Sequence, residues 1–270
     1  MITRFFVSIL ALSASALLVA EPAPVLSWNF NEVAGDFTAN TGSGGAADLY
    51  LVGPGGGKTP AFSVDARGVS GKPGDHAFDL TSSTGMGANT PNSTGPTGVV
   101  WSKSPGLASL PEVSSFTLTG WIMPTATVTN AARLVSSSTI TLMAGVENRI
   151  TLQVNGTSSS IQSEPAYDSV GNWIFVAVTY DGTRATDNVT YYVGSTEAGS
   201  LAKAGTVTVA AGKLKPLTGQ FLIGNNSTNS PATRPFMGLI DNIALYASRE
   251  NSAGVLSLDQ IESIRAAATR

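Results

Sequence analysis

Short apolar segments separated by turn-forming residues run through most of this 270-residue chain. Residues 150–154 and 173–180 are two clear examples, and the second is apolar at nearly every position, so both of its faces should be covered. Asn-Gly at residues 155–156 and Asp-Gly at residues 181–182 indicate hairpin turns in which the glycine has positive φ. Many short strands with turns between them predict an all-β sandwich or barrel.

One short helix is predicted, at the C-terminal end of the chain. Ser257 and Gln260 form a capping-box pattern, and the helix is expected to reach about residue 268. The chain from residue 21 onward has a length that large β sandwiches ordinarily reach. We therefore expect residues 21–270 to form a single domain.

The first twenty residues have the pattern of an export signal. Arg4 supplies a short positive region, residues 5–20 are apolar apart from serines, and Ala20 suits cleavage before a polar segment. An uncleaved membrane anchor is the alternative, but the apolar run is shorter than the roughly 20 residues that a span needs. We expect residues 1–20 to be a cleaved signal peptide, with the mature protein secreted, at the cell surface or in the periplasm, and without a membrane span.

Composition argues against several classes of function. Charged residues make up 12% of the chain, the net charge is −3 and no Lys/Arg cluster exists, so nucleic acid is not expected as a partner. With no cysteine, disulfides, thiolate metal sites and thiol nucleophiles are excluded. His76 is the single histidine, which removes multi-histidine metal chemistry, and it is expected to be an ordinary solvated side chain in a turn.

Asp241 stands alone in the middle of a long apolar segment, residues 236–246. Burying a carboxylate costs several kcal/mol unless it is paired, hydrogen-bonded or bound to a metal. Asp241 is therefore predicted to be either a structural acid at a strand end, which accepts backbone amides at a kink beside Gly238, or the ligand of an ion.

Several segments, in this order, resemble the laminin-G-like branch of the concanavalin A-like lectin/glucanase superfamily. They are FTLTGWIMP at residues 116–124, NWIFVAVTYDG at 172–182, and FLIGN at 221–225 leading into residues 236–246. The opening WNFNE at residues 28–32 is similar to the first strand of that family, and the terminal helix also fits. The resemblance covers essentially the whole mature chain. It implies a jelly roll of two antiparallel sheets, one of them concave.

The resemblance also implies a candidate calcium site. Relatives often carry one Ca²⁺ at the edge of the sandwich, between the first-strand region and an acid in the last strand, and Asp241 matches that acid. Asn31, Glu32 and Asp36 lie in the segment that would supply the opposing oxygens. Because Asn31 stands where the family more often has Asp, the site would carry less negative charge and bind more weakly. A structural acid without metal remains the alternative.

The sequence does not predict a catalytic pair of carboxylates. Retaining glycosidases need two carboxyl groups about 5–5.5 Å apart, which related glucanases take from a Glu-x-Asp-x-x-Glu run, and this chain has no Glu-x-Asp. The strongest strands, residues 116–122 and 173–180, contain no carboxylate. We expect a non-catalytic module that binds a glycan or an extracellular protein surface. A structural or adhesive surface protein is the alternative, and a divergent glycosidase with acids from separate strands is less favoured.

The aromatic residues do not indicate which residues bind a ligand. Trp28, Trp121 and Trp173 lie in apolar segments and are expected to belong to the core. Trp101 follows a polar loop and is less committed to packing. One of the adjacent residues 191 and 192, both tyrosine, must face outward from its strand.

Overall fold

The computed structural model describes residues 22–33, 35, 37–44, 48–51, 61–81, 99–100, 111–127, 131–158, 170–217, 221–225, 234 and 236–270. The predicted signal peptide, Asp36 and Trp101 lie outside these residues. In the described part of the chain, two antiparallel sheets pack face to face, which confirms the predicted sandwich.

Sheet A carries the longest strands. Within the described residues it contains eight strands: β1 (Leu26–Trp28), β4 (Ala61–Phe62), β5 (Phe78–Asp79), β7 (Ser115–Pro124), β12 (Ile174–Asp181), β13 (Val189–Ser195), β14 (Ala202–Val207) and β16 (Gly238–Ser248). Their order is β14-β13-β12-β7-β16-β5-β4, and β1 pairs with β16 beside β5. The long strands β12, β7 and β16 therefore form the centre of the sheet.

Sheet B is built from shorter strands. Within the described residues it also contains eight: β2 (Phe37–Thr38), β3 (Leu49–Leu51), β6 (Val99–Val100), β8 (Ala132–Ser136), β9 (Ile140–Ala144), β10 (Ile150–Val154), β11 (Thr157–Ser158) and β15 (Leu222–Ile223). Their order is β11-β10-β9-β8-β15-β6-β3-β2. The predicted hairpin between β10 and β11 is confirmed, since Asn155 and Gly156 have φ values of 50° and 80°.

The core between the two sheets holds the larger of the apolar clusters. Trp28 packs against Phe221 with ring centroids 5.4 Å apart. The hydroxyl of Tyr191, on sheet A, accepts a hydrogen bond of 3.0 Å from the amide of Leu152, on sheet B. Each fully buried Leu, Ile or Phe side chain contributes about 1.5–3 kcal/mol. This core therefore holds the sandwich together without disulfides.

The outer face of sheet A is covered by helix α1 (Leu258–Ala268). The predicted capping box is present: the Ser257 hydroxyl accepts from the Gln260 amide at 3.3 Å, and the Gln260 side chain accepts from the Ser257 amide at 2.9 Å. Ile261 is fully buried and joins Trp121 and Phe175 in a second apolar cluster. β12 is thus buried on both faces, as predicted. Among the described residues, no helix is both long enough and apolar enough to cross a bilayer.

A buried arginine fastens α1 to the hairpin of β13 and β14. Arg265 is almost fully buried, and its Nη1 donates to the Ser195 carbonyl oxygen at 2.7 Å. Two further bonds of 2.7 Å reach the Glu262 carboxylate, which lowers the pKa of Glu262 and raises the pKa of Arg265. The guanidinium is therefore paired and bonded, as a buried charge must be.

The Asp-Gly turn after β12 differs from the prediction. β13 begins at Val189, so the connection is longer than a two-residue hairpin turn, and Gly182 does not have positive φ. Glycine is required there for another reason: a Cβ at residue 182 would lie 2.5 Å from the Gly212 carbonyl oxygen. The close approach of a distant backbone segment, which local sequence does not reveal, is what excludes a side chain.

Candidate binding site around Asp241

Asp241 lies where the pairing of β16 is interrupted. Within the described residues, β5 pairs with the start of β16 and β1 with its later part, and neither pairs with Asp241 or Asn242. Against β7 the register shifts between Asp241 and Ala244, and Asn242 has a left-handed φ of 49°. Asp241 therefore sits at a β-bulge in mid-strand, and not at a strand end. Bulges commonly re-aim side chains beside functional sites.

The Asp241 side chain is fully buried and only half satisfied. Its Oδ2 accepts a hydrogen bond of 3.0 Å from the Val69 amide, whereas Oδ1 makes no hydrogen bond with the described residues. Burial raises the pKa of Asp241 well above its ordinary range and the charge of Asp75 raises it further, whereas the backbone amides of Val69 and Asn242 oppose this. A buried carboxyl group in this situation is either protonated or paired with a cation.

One loop, residues 63–76, reaches both Asp241 and Asn31. Val69 donates its amide to Asp241, and at the end of the loop the His76 amide donates to Asn31 Oδ1 at 2.8 Å. Asp75, whose charge acts on Asp241, precedes His76 on the same loop. The structure therefore links two of the predicted site residues through a single segment.

The third predicted residue, Glu32, has a different neighbour. Its Oε1 accepts from the Ala39 amide at 3.0 Å, and its Oε2 is buried without a donor among the described residues. In the described part of the chain, no group of three or more His, Asp or Glu residues could hold a metal. A cation here would therefore need the Asn31 amide oxygen and backbone carbonyls in addition to the Asp241 and Glu32 carboxylates. Each of these two carboxylates has one oxygen without a hydrogen-bond partner among the described residues.

Phe30, which directly precedes Asn31 and Glu32, has a strained backbone conformation. Its φ of 54° lies in the left-handed region, which a bulky residue rarely adopts. The ring is fully buried and stacks against Phe78 with centroids 5.6 Å apart. Strain of this kind persists only where the surroundings impose it, and it concentrates at functional sites. Packing of the ring thus holds the turn that carries Asn31 and Glu32.

His76 is buried, so its prediction as a solvated side chain was wrong. The residue is 6% exposed, and its Nδ1 lies 2.7 Å from the Ser63 carbonyl oxygen. Its Nε2 lies 3.7 Å from Asp65 Oδ1. The imidazole therefore joins the two ends of the loop over residues 63–76, a contact that the turn-like local sequence does not indicate.

The core prediction is confirmed for Trp28 and Trp121, which are fully buried. Trp173 is only half-buried and packs against the outer apolar cluster without belonging to its buried part. Tyr191 points into the core, whereas Tyr192 is half-buried on the other face, where burial raises its pKa.

The family is established by comparison with known proteins. The model of the Concanavalin A-like lectin/glucanases superfamily, in its laminin-G-like form, matches residues 96–255. Because the match spans more than half of the chain, the chain belongs to this superfamily, which includes both binding proteins and enzymes. No curated protein matches the sequence.

Solved structures share the jelly-roll fold at low sequence identity. Domain 4 of AbnA, a GH43 extracellular arabinanase from Geobacillus stearothermophilus in complex with arabinotriose, is 16% identical with a TM-score of 0.55, over 91% of this chain and 99% of that one. The binding domain of botulinum neurotoxin serotype G is 15% identical with a TM-score of 0.55, over 90% and 50%. A GH54 α-L-arabinofuranosidase is 11% identical with a TM-score of 0.56, over 94% and 61%. At these identities the likeness shows the fold alone.

Proposed function

We propose that the protein is a secreted, non-catalytic module that binds a glycan or an extracellular protein surface through the loops around Asp241. One Ca²⁺, held by Asp241, Asn31 and Glu32, stabilises those loops. The observation that carries the proposal is the pair of buried carboxylate oxygens, Asp241 Oδ1 and Glu32 Oε2, which lack donors among the described residues. Carboxylate and amide oxygens are the ligands that Ca²⁺ takes in proteins.

The ion would supply the positive charge that allows Asp241 to stay ionised while buried. The loop over residues 63–76 is bonded to Asp241 through Val69 and to Asn31 through His76. Fixing Asp241 and Asn31 relative to each other would therefore fix this loop on the rigid frame of β1 and β16. Binding residues are commonly carried on loops that a rigid scaffold positions.

Binding to a glycan array, with calcium and with EDTA, tests this function in the protein purified after export. We expect one glycan class to bind in calcium, and the signal to disappear in EDTA and in Asp241→Asn. Asp259→Asn, which changes an exposed acid on α1, is the matched control and should bind like the wild type. Arabinotriose belongs in the panel because the related arabinanase domain was solved with it.

Two results would replace this function by another. Binding to extracellular proteins with no glycan signal would favour a structural or adhesive role. Release of reducing sugar from arabinans or laminarin-type glucans, abolished by Asp241→Asn, would make the protein a hydrolase, as some relatives of the fold are. No release across the panel is the result that we expect.

A further inference from the structure

Sheet B carries a single charged side chain within its described strands. Those strands contain no Asp or Glu, and Arg133 on β8 is their one charged residue. Its neighbours Ala132 and Leu134 belong to the apolar core, so the Arg133 side chain lies on the outer face of the sheet. No acid of the described strands of sheet B is present to pair with this charge.

The guanidinium group of Arg133 keeps one edge free. Its Nη1 donates to the Ala131 carbonyl oxygen at 2.8 Å, and no acid among the described residues forms an ion pair with it. Nε and Nη2 make no hydrogen bond with the described residues, and neither is a buried atom. These two nitrogens form one edge of the planar group, and a ligand can reach them from solvent.

Two more arginines add positive charge near Arg133. The Arg234 carbonyl oxygen accepts from the Arg133 amide at 2.9 Å, and burial together with the charge of Arg234 lowers the pKa of Arg133. Arg149 directly precedes Ile150, a core residue, and its side chain therefore lies on the outer face as well. Arg149 is paired at 3.2 Å with Glu147, which is 72% exposed. Three guanidinium groups and one carboxylate give this region an excess of positive charge, in a chain whose net charge is −3.

A hydroxyl group lies on the same face between two of these arginines. Met143 on β9 is opposite Arg133, and Thr151 on β10 is opposite Met143. Both neighbours of Thr151 in the chain belong to the core, so its side chain points outward. Arg149 lies two residues before Thr151, on the same face. Arg133 and Thr151 are thus separated by two strand spacings, about 10 Å.

We propose that the outer face of sheet B docks an acidic protein segment, with one Asp or Glu side chain of the partner bound to the Nε–Nη2 edge of Arg133. The two parallel donors of that edge match the two oxygens of a planar carboxylate. Arg234 and Arg149 attract the remaining negative charge of the segment, and the Thr151 hydroxyl can bond its backbone. The surface does not include Asp241, so this inference goes beyond the proposed function.

Fluorescence anisotropy with a labelled peptide of alternating glycine and glutamate tests this surface. The matching peptide with glutamine is the neutral control, and labelled dextran sulfate is a polyanion without carboxylates. We expect the glutamate peptide to bind saturably at low ionic strength, more weakly at high ionic strength, and equally in calcium and in EDTA. The glutamine peptide should not bind.

Four variants separate a carboxylate site from general attraction between charges. Arg133→Gln should weaken binding of the glutamate peptide by about tenfold or more. Arg133→Lys keeps the charge but not the planar fork, so it should also weaken binding. Arg184→Gln removes an exposed arginine outside sheet B and should bind like the wild type. Thr151→Glu leaves the bonds of Arg133 in place, adds a carboxylate to the same face and should abolish binding. All four are checked for fold by their melting temperatures.

Several results would overturn the proposal. They are no binding of the glutamate peptide, equal binding of the glutamine peptide, unchanged binding by Arg133→Gln or by Arg133→Lys, and an equal loss in Arg184→Gln. Binding of dextran sulfate without binding of the peptide would assign the face to polyanions instead. Peptide binding that requires calcium would belong to the Asp241 site. None of these results changes the outcome of the glycan array, so the two proposals fail separately.

Discussion

The two faces of strand β7 differ in how well their side chains are satisfied. On the inner face of sheet A, Phe116 and Leu118 pack into the apolar core. On the outer face, Thr119 and Trp121 each have a buried polar atom without a hydrogen-bond partner among the described residues. Asp241, opposite Trp121 on β16, adds an unpaired carboxylate oxygen. One strand thus contributes to two surfaces of different character.

The two faces of sheet A therefore have different roles: the inner face stabilises the fold, and the outer face carries the proposed binding site. Buried polar groups are nearly always hydrogen-bonded in folded proteins. A face that keeps several unpaired groups under a helix and a loop is less stable than an apolar face of the same area. The inner face therefore explains the stability of the sandwich, and the outer face around Asp241 is where a ligand would recover that cost.

The largest effect should come from truncating the inner face. Phe116→Ala removes a fully buried ring that packs against Tyr180 with centroids 5.4 Å apart. We expect it to lower the free energy of unfolding by about 3–5 kcal/mol, measured by urea denaturation. Leu258→Ala, at a residue 47% exposed on α1, is the control and should change it by less than about 1 kcal/mol. Equal losses in the two variants would contradict the assignment of stability to the inner face.

The next effect concerns pH and the buried acid. Because the pKa of Asp241 is raised in the folded protein, the folded state holds this proton to higher pH than the unfolded chain does. The bound proton therefore stabilises the folded state. In EDTA this contribution to the free energy of unfolding is complete below about pH 4 and is lost as pH rises through the raised pKa of Asp241. Urea denaturation across pH should show that decline in the wild type and not in Asp241→Asn. Parallel pH profiles for the two proteins would exclude a protonated Asp241.

A matched pair of tryptophans sharpens the comparison of the two faces. Trp28 and Trp121 are both fully buried, the first in the inner core and the second on the outer face. Trp→Phe removes a similar volume from each, but at residue 121 it also removes an unpaired donor. Trp121→Phe should therefore cost about 1–3 kcal/mol less than Trp28→Phe in urea denaturation. The reverse order would mean that the Trp121 N–H is already well satisfied.

The smallest predicted effect is a gain in the free energy of unfolding, not a loss. Thr119→Val keeps the shape of the side chain and removes a hydroxyl that has no described partner. We expect the free energy of unfolding to stay level or rise by up to about 1 kcal/mol. Thr117→Val is the control, since the Thr117 hydroxyl donates to the Gly254 carbonyl oxygen at 2.7 Å, and it should be destabilising. Destabilisation by both variants would show that Thr119 is hydrogen-bonded.

The elements that the sequence predicts correctly are those that depend only on residues close together in the chain. β12 is apolar throughout, the Asn-Gly hairpin at residues 155–156 requires only two residues, and the capping box at Ser257 and Gln260 spans four. Strands of two residues, such as β4, depend on the strand beside them and were not predicted.

The candidate site could be predicted only in outline. The apolar flanks of Asp241 indicate that it is buried, but its partner Val69 is 172 residues away in the chain. The burial of His76 has the same origin, since it follows from contacts of the loop with Ser63 and Asn31. The calcium ligands Asp241, Asn31 and Glu32 stay a prediction.

Isothermal titration of metal-free wild type and Asp241→Asn with calcium, beside metal analysis of the purified protein, tests the central claim most directly. We predict one Ca²⁺ per chain in the wild type, a higher melting temperature in calcium than in EDTA, and no binding by the variant. Absence of calcium binding by the wild type, or equal binding by Asp241→Asn, would contradict the proposed calcium site at Asp241.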